Sequence, residues 1–407
     1  MELSKRQKLL KSLAQEGGKI VYLVMDGLGD LATGKYSETP LEKAKTPNLD
    51  NLVAAGACGL CHPVDYGITP GSGPGHLGLF GFNPVDVVIG RGILEALGAG
   101  FLLKKGDIAS RINFATINKD GVITDRRAGR ISTEECIRLV EKLSSIKVEG
   151  VEILVKAVKE HRAMVVFRGE GLGGSIIDTD PQVTGKKPLP AVSTDETDKA
   201  SIHTAGLVNK FIGKASEVLS DEPKANAILM RGFDAYHPLP TFMETYKMRS
   251  AAIAVYPMYR GLASLTGMEL LEIAGETVSA EIDTLQKHYE DYDFFFIHIK
   301  KTDSYGEDGN FDAKVHVIEE VDTVIPRIAA LKPAVILVTA DHSTPCIMES
   351  HSFHPVPTLI NGKLVRVDDQ KVFTEKACEH GGMGQMPSEM LIGLAMAHAG
   401  RLLKFGA

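Results

Sequence analysis

The sequence predicts an α/β protein: a central, mostly parallel sheet flanked by helices, with a smaller α+β domain inserted into the chain. Three observations predict it. The runs at 19–25 (KIVYLVM), 293–299 (DFFFIHI) and 334–339 (AVILVT) are short and almost wholly apolar, as strands covered on both faces of a parallel sheet are. Acids follow closely on each: Asp26, Asp303 and Asp341. Between about 92 and 244 the pattern changes to shorter strands and loops rich in Gly, Pro and Lys, notably 169–174 and 178–190.

With 407 residues the chain exceeds one ordinary hydrophobic core, so two domains are expected. The pattern assigns residues 1–91 and 245–407 to a core domain and 92–244 to an inserted one. In order along the chain, Met1 to Gly18 reads as a charged amphipathic helix with Leu9, Leu10 and Leu13 on one face, and it lacks a signal-peptide core. The first strand follows. Thr46-Pro47 then opens a helix, with threonine as N-cap and proline at the first helical position. The run Gly-Ile-Thr-Pro-Gly-Ser-Gly-Pro-Gly-His at 67–76 reads as a tight turn carrying Ser72. In the insert, strands are expected at 153–158, 163–168 and 227–230, with a helix at 195–212. Residues 303–309 read as a loop.

Composition narrows the class. An apolar fraction of 44% with 24% charged residues is that of an ordinary soluble globular protein. A formal charge of −7 argues against a nucleic-acid partner, and suits a protein whose liganding carboxylates await cations. No run of about 18 apolar residues predicts a membrane span. Cys58 and Cys61 have zinc-ribbon spacing without a second pair, so the five cysteines read as reduced thiols of a cytoplasmic protein.

Acids just beyond the carboxyl ends of parallel strands converge where open α/β sheets bind ligands. Asp26, Asp341 and His342 offer two carboxylates and an imidazole, a set for Mn2+, Zn2+ or Mg2+, with Ser72 as fourth ligand. A serine hydroxyl beside a divalent cation becomes a nucleophile able to accept a phosphoryl group. Asp303, Glu307 and His351 form a second cluster.

These residues sit in runs that resemble the cofactor-independent phosphoglycerate mutases of the archaeal type, in the alkaline phosphatase superfamily. The runs are Val-Met-Asp-Gly-Leu-Gly-Asp at 24–30, Pro-Gly-Ser at 70–72, His-Leu at 76–77 and Gly-Arg-Gly at 90–92. Asp-Thr-Asp-Pro at 178–181, Thr-Ala-Asp-His-Ser-Thr-Pro at 339–345 and His-Ser-x-x-Pro-Val-Pro at 351–357 complete the set, which spans almost the whole chain. The resemblance implies an alkaline-phosphatase-like core with two metals and an inserted transferase domain. Ser72 matches the family's phosphorylated serine. Asp26, Asp341 and His342 match the ligands of the metal that touches it, and Asp303 and His351 those of the second metal. Glu307 stands where the family usually has histidine, which tilts the site toward harder Mn2+ or Mg2+, with Zn2+ and Co2+ as alternatives. Gly73-Pro74-Gly75 follows the serine where aspartate is common, and Gln385 lies in a segment where many relatives carry arginine.

Substrate anions require cations, for which arginine's planar fork is suited. Arg111, His161, Arg162 and Arg231 are the insert's candidates. Arg260 is similar to a core residue that neutralises the transferring phosphoryl group. The resemblance implies interconversion of 3-phosphoglycerate and 2-phosphoglycerate through a phosphoserine, without bisphosphoglycerate. The alternative is a phosphomonoesterase or phosphotransferase of the same superfamily acting on another small hydroxylated metabolite, such as a homoserine-type kinase.

Overall fold

The computed structural model describes residues 3–406. Among the described residues thirteen strands run in chain order: β1 (Ile20–Met25), β2 (Ala57–His62), β3 (Ile108–Ile117), β4 (Ile123–Asp125), β5 (Glu152–Lys159), β6 (Arg162–Arg168) and β7 (Ala227–Ala235). β8 (Ser250–Ala254), β9 (Glu269–Leu270), β10 (Phe294–Ile299), β11 (Val335–Thr339), β12 (Val356–Gly362) and β13 (Gly384–Pro387) follow. The chain separates into two compact units, Met1–Val88 with Leu239–Ala407, and Ile89–Pro238.

The first unit is built on an eight-stranded sheet in the order β13-β2-β12-β11-β1-β10-β8-β9. β12 runs antiparallel to both of its neighbours and every other pairing is parallel, so the expected mostly parallel sheet is present. The three apolar runs form β1, β10 and β11, adjacent at its centre and buried along their whole length. Register then aligns their ends: Met25 pairs with Ile299, and Val24 with both His298 and Thr339. Asp26, Lys300 and Asp341 therefore emerge along one edge of the sheet, at the carboxyl ends of its strands.

Two local expectations are corrected. Residues 301–307 are a helix, Lys301–Glu307, not a loop. Gly306 within it looks like a turn signal, but a Cβ there would stand 2.4 Å from Thr344 O, so close packing demands the glycine. Thr46 precedes the Pro47–Ala54 helix yet makes no side-chain cap bond. Asp322 supplies the cap instead, accepting from Asn48 N at 3.0 Å and Leu49 N at 2.8 Å.

The second unit carries a five-stranded sheet, β4-β3-β6-β5 with β7 on the other side of β3. Its pairings are antiparallel. Helices Thr133–Ser144 and Lys199–Val218 contribute Leu139, Leu143, Val208 and Phe211 to a core with Ile112, Phe114, Val165 and Phe167. The long helix starts later and runs further than the expected 195–212. Among the described residues no helix is long and apolar enough to cross a membrane.

Candidate active site

Ser72 is the first residue of the helix Ser72–Leu79, not a residue of an isolated turn. The glycines around it serve close approach: a Cβ on Gly75 would lie 2.1 Å from Asp341 O. The helix thus lies directly on the chain after β11, with Ser72 Oγ 3.3 Å from His342 Nε2. One turn later, His76 Nδ1 lies 2.8 Å from Ser72 O and 3.2 Å from Asp341 Oδ2.

Asp26, Asp341 and His342 are fully buried and gather beside the serine. His342 Nε2 is 3.2 Å from Asp26 Oδ1 and 3.2 Å from Asp341 Oδ2. Neither oxygen of Asp26, nor Oδ2 of Asp341, accepts a hydrogen bond. Buried carboxylate oxygens left in that state are costly, and a divalent cation among them removes the cost. The donor set of two carboxylates, an imidazole and a hydroxyl fits such an ion.

The second cluster brings together Asp303, His342 and His351. His351 Nδ1 donates to Pro70 O at 2.9 Å, because a carbonyl can only accept. Its Nε2 therefore presents a lone pair toward Asp303 Oδ1 at 3.6 Å and Glu307 Oε1 at 3.8 Å. Asp303 and Glu307 lie four residues apart on one helix, hence on one face. The rings of His342 and His351 stack at 3.6 Å, so the two clusters adjoin.

A residue that sequence reasoning passed over sits between them. Lys300 Nζ is 3.1 Å from Asp26 Oδ2 and pairs with Asp303 Oδ2. Burial opposes its charge, but Asp26 and Asp303 together hold its pKa above the ordinary value. Burial likewise opposes the charge of Asp26, yet His298, His342 and Lys300 hold its carboxyl well below the usual range. Asp341 moves the other way, raised by burial and then by the charge on Asp26. Burial lowers the pKa of His76, His298 and His342.

The candidates of the second unit also converge. Arg111, His161, Arg162 and Arg231 line a cavity of about 560 Å3, joined by Arg126, Arg127 and Arg130. Arg126 is committed to Asp180, at 2.9 and 2.6 Å, and Arg111 to Glu95 at 3.2 Å. Arg127 and Arg130 form no ion pair among the described residues, so the cavity keeps unspent positive charge. Burial, and then Arg162 beside it, lower the His161 pKa. Arg260 behaves differently: its guanidinium donates to Leu271 O at 3.1 Å and pairs with Glu272 at 2.8 Å, and it forms no ion pair with either cluster.

The chain is similar to known proteins along its length. The sequence model of the 2,3-bisphosphoglycerate-independent phosphoglycerate mutases matches residues 54–225. A probable 2,3-bisphosphoglycerate-independent phosphoglycerate mutase of Thermotoga maritima is 52% identical over 406 residues, covering 99% of each chain. The chain belongs to this family. A second member, from Aquifex aeolicus, is 50% identical over 403 residues, covering 97% of this chain and 98% of its own. The solved cofactor-independent phosphoglycerate mutase of Thermoplasma acidophilum is similar in structure, with a TM-score of 0.77 and 31% identity over 94% of this chain and all of that one.

Phosphoglycerate mutases of this family are isomerases, and the buried surroundings of Ser72 add residues the motifs did not single out. His298 Nε2 lies 3.3 Å from Asp26 Oδ2, and Tyr259 stacks on its ring at 3.7 Å. A histidine within FFFIHI reads as a tolerated core residue until its partner across the sheet is known. Lys300 and Lys301 read as a solvated pair after a strand, and only the register shows that the first faces inward.

Proposed function

We propose that this protein interconverts 3-phosphoglycerate and 2-phosphoglycerate through a phosphoserine at Ser72, on a centre that holds two divalent cations. The observation that carries the reading is Ser72 Oγ at 3.3 Å from His342 Nε2, beside three buried carboxylate oxygens, both of Asp26 and Oδ2 of Asp341, that accept no hydrogen bond. Asp26, Asp341, His342 and Ser72 hold one ion, and Asp303, Glu307 and His351 the other. The oxygen-rich second set favours Mn2+ over Zn2+. When bound, the ions polarise the phosphoryl oxygens and lower the pKa of the serine hydroxyl.

Ser72 Oγ attacks the phosphorus in line. The Oγ–P bond forms as the bond from phosphorus to the C3 oxygen breaks, and that oxygen gains the proton the serine gives up. Reoriented glycerate then attacks through its 2-hydroxyl; the Oγ–P bond breaks and a proton returns to Oγ. No water is consumed. Ser72 opens a helix, and with Pro74 lacking an N–H and Gly75 N bonded to Gly71 O, the N–H groups of Ser72 and Gly73 are left for the phosphate it would carry. Lys300 adds a fixed positive charge against the phosphoryl oxygens. The arginine-lined unit acts as the substrate-binding, transferase part, taking the anionic groups of phosphoglycerate through His161, Arg162, Arg231 and Arg111. Arg260 serves as a scaffold for the β8 and β9 strand ends, where its bonds lie. Five unpaired, buried cysteines support a reducing compartment such as the cytoplasm.

Phosphorus NMR of the purified enzyme with 3-phosphoglycerate, and no bisphosphoglycerate, tests the reading. Formation of 2-phosphoglycerate without lag is expected; free phosphate as the only product overturns it.

A further inference from the structure

Between the two clusters lies one hydroxyl group that touches both. Thr344 Oγ1 is 2.7 Å from Asp303 Oδ1 and 3.0 Å from His342 Nδ1. We infer that Thr344 is a positioning residue that joins the two cation sites into one coupled unit, an inference that rests on the two-cation reading above.

The direction of each bond follows from counting hydrogens. Asp303 pairs through its other oxygen with Lys300, so it is ionised and can only accept. The single hydroxyl hydrogen of Thr344 therefore goes to Asp303. Its oxygen accepts from Nδ1–H of His342, which fixes that imidazole in the tautomer whose Nε2 lone pair faces Ser72, Asp26 and Asp341. One hydroxyl thus sets the liganding atom of the first site and orients a carboxylate of the second.

The surroundings leave Thr344 no freedom. It is fully buried. Its N–H donates to Gly29 O at 3.0 Å. Its carbonyl accepts from Lys314 Nζ at 2.9 Å, and the same buried ammonium holds Gly27 O at 2.9 Å and Asp30 Oδ2 at 2.8 Å. The segments after β1 and β11, which carry Asp26 and His342, are pinned to one cation. A Cβ on Gly27 would stand 2.5 Å from Thr344 Oγ1, so glycine at that position leaves the hydroxyl its room.

Thr344→Val keeps the shape and removes the hydroxyl; Thr344→Ser keeps the hydroxyl. Calorimetric titration of the metal-free protein with Mn2+, with bound ions counted by electron paramagnetic resonance, reads both sites independently of activity. The expected result is a loss of affinity of about 10–100-fold at each site in Thr344→Val. Thr344→Ser should bind within a few-fold of wild type, and circular dichroism should show both variants folded. Wild-type affinity in Thr344→Val, or loss at one site alone, overturns the coupling. A wild-type protein that binds fewer than two ions overturns the two-cation reading itself.

Discussion

Ser72 Oγ stands 3.3 Å from His342 Nε2, and the helix it opens rests on the backbone of Asp341 through Gly75. Ser72, Asp341 and His342 are therefore placed by one contact between a helix and a strand end. Gly75→Ala cannot be accommodated without displacing that helix, because its Cβ would lie 2.1 Å from a carbonyl oxygen. Activity should fall at least about tenfold, a displacement of the nucleophile being felt directly in kcat. Steady-state assays of the folded variant check it; unchanged kcat contradicts it.

Glu307 is proposed as a ligand of the second cation, and its Oε1 lies 3.8 Å from His351 Nε2. Glu307→His replaces a hard donor with an imidazole and should move the Zn2+ to Mn2+ preference by roughly tenfold toward zinc. Metal analysis after dialysis against equal concentrations of the two ions gives the answer. A ratio identical to wild type would remove Glu307 from the ligand set.

Lys300 is the cation that compensates Asp26 and Asp303. Lys300→Met should destabilise the metal-free protein by about 3 kcal/mol, as breaking a buried charge pair does. Mn2+ should recover much of that loss, whereas kcat should stay about 100-fold down because a fixed charge on the phosphoryl group is gone. Urea unfolding with and without Mn2+, alongside turnover, separates the two effects. Equal destabilisation in both states would refute the compensation.

Much of this site was legible in the sequence, for a physical reason. Strands buried on both faces must be continuously apolar, so β1, β10 and β11 are visible as runs, and the acids that follow them mark one sheet edge. Asp303, Glu307 and His351 stand out as a second set of ligand types, and the resemblance matches Asp303 and His351 to one metal. Less legible were features decided across the sheet. The Lys301–Glu307 helix hides behind Gly306, whose absent side chain serves Thr344 rather than a turn. β3 was missed because Ser110, Arg111 and Asn113 interrupt its apolar pattern, although Ser110 and Asn113 are buried. Its two neighbours, β6 and β7, hold it by hydrogen bonds that no local propensity reports.

The arginine-lined cavity should set affinity rather than chemistry. Arg162→Ala and Arg231→Ala should each raise KM for 3-phosphoglycerate by about 10–100-fold, the loss of one charge-assisted contact. Added salt should narrow the gap to wild type, since the surviving cations are screened. Unchanged KM in both variants would place substrate elsewhere.

Far from the cations, Glu281 offers a pH test of stability. Burial, and then the charge of Glu320, push its pKa up to about 9 from 4.5. Between those values the folded state holds a proton the unfolded chain has released, so this group's contribution to stability falls as pH rises. Glu281→Gln should therefore be more stable than wild type by about 1–3 kcal/mol at pH 8, the ordinary cost of a poorly solvated buried group, and little different near pH 5. Chemical unfolding at both pH values decides it; a pH-independent difference contradicts it.

The central claim is that the phosphoryl group passes through Ser72. The most direct measurement is peptide mass spectrometry of Mn2+-loaded enzyme, acid-quenched during turnover of 3-phosphoglycerate. One phosphoryl group on the peptide containing Ser72 is expected, absent from the folded Ser72→Ala variant, whose turnover should fall by at least about 1000-fold. A Ser72→Ala enzyme that still forms 2-phosphoglycerate at the wild-type rate, with no phosphorylated serine in the wild type, would contradict the account.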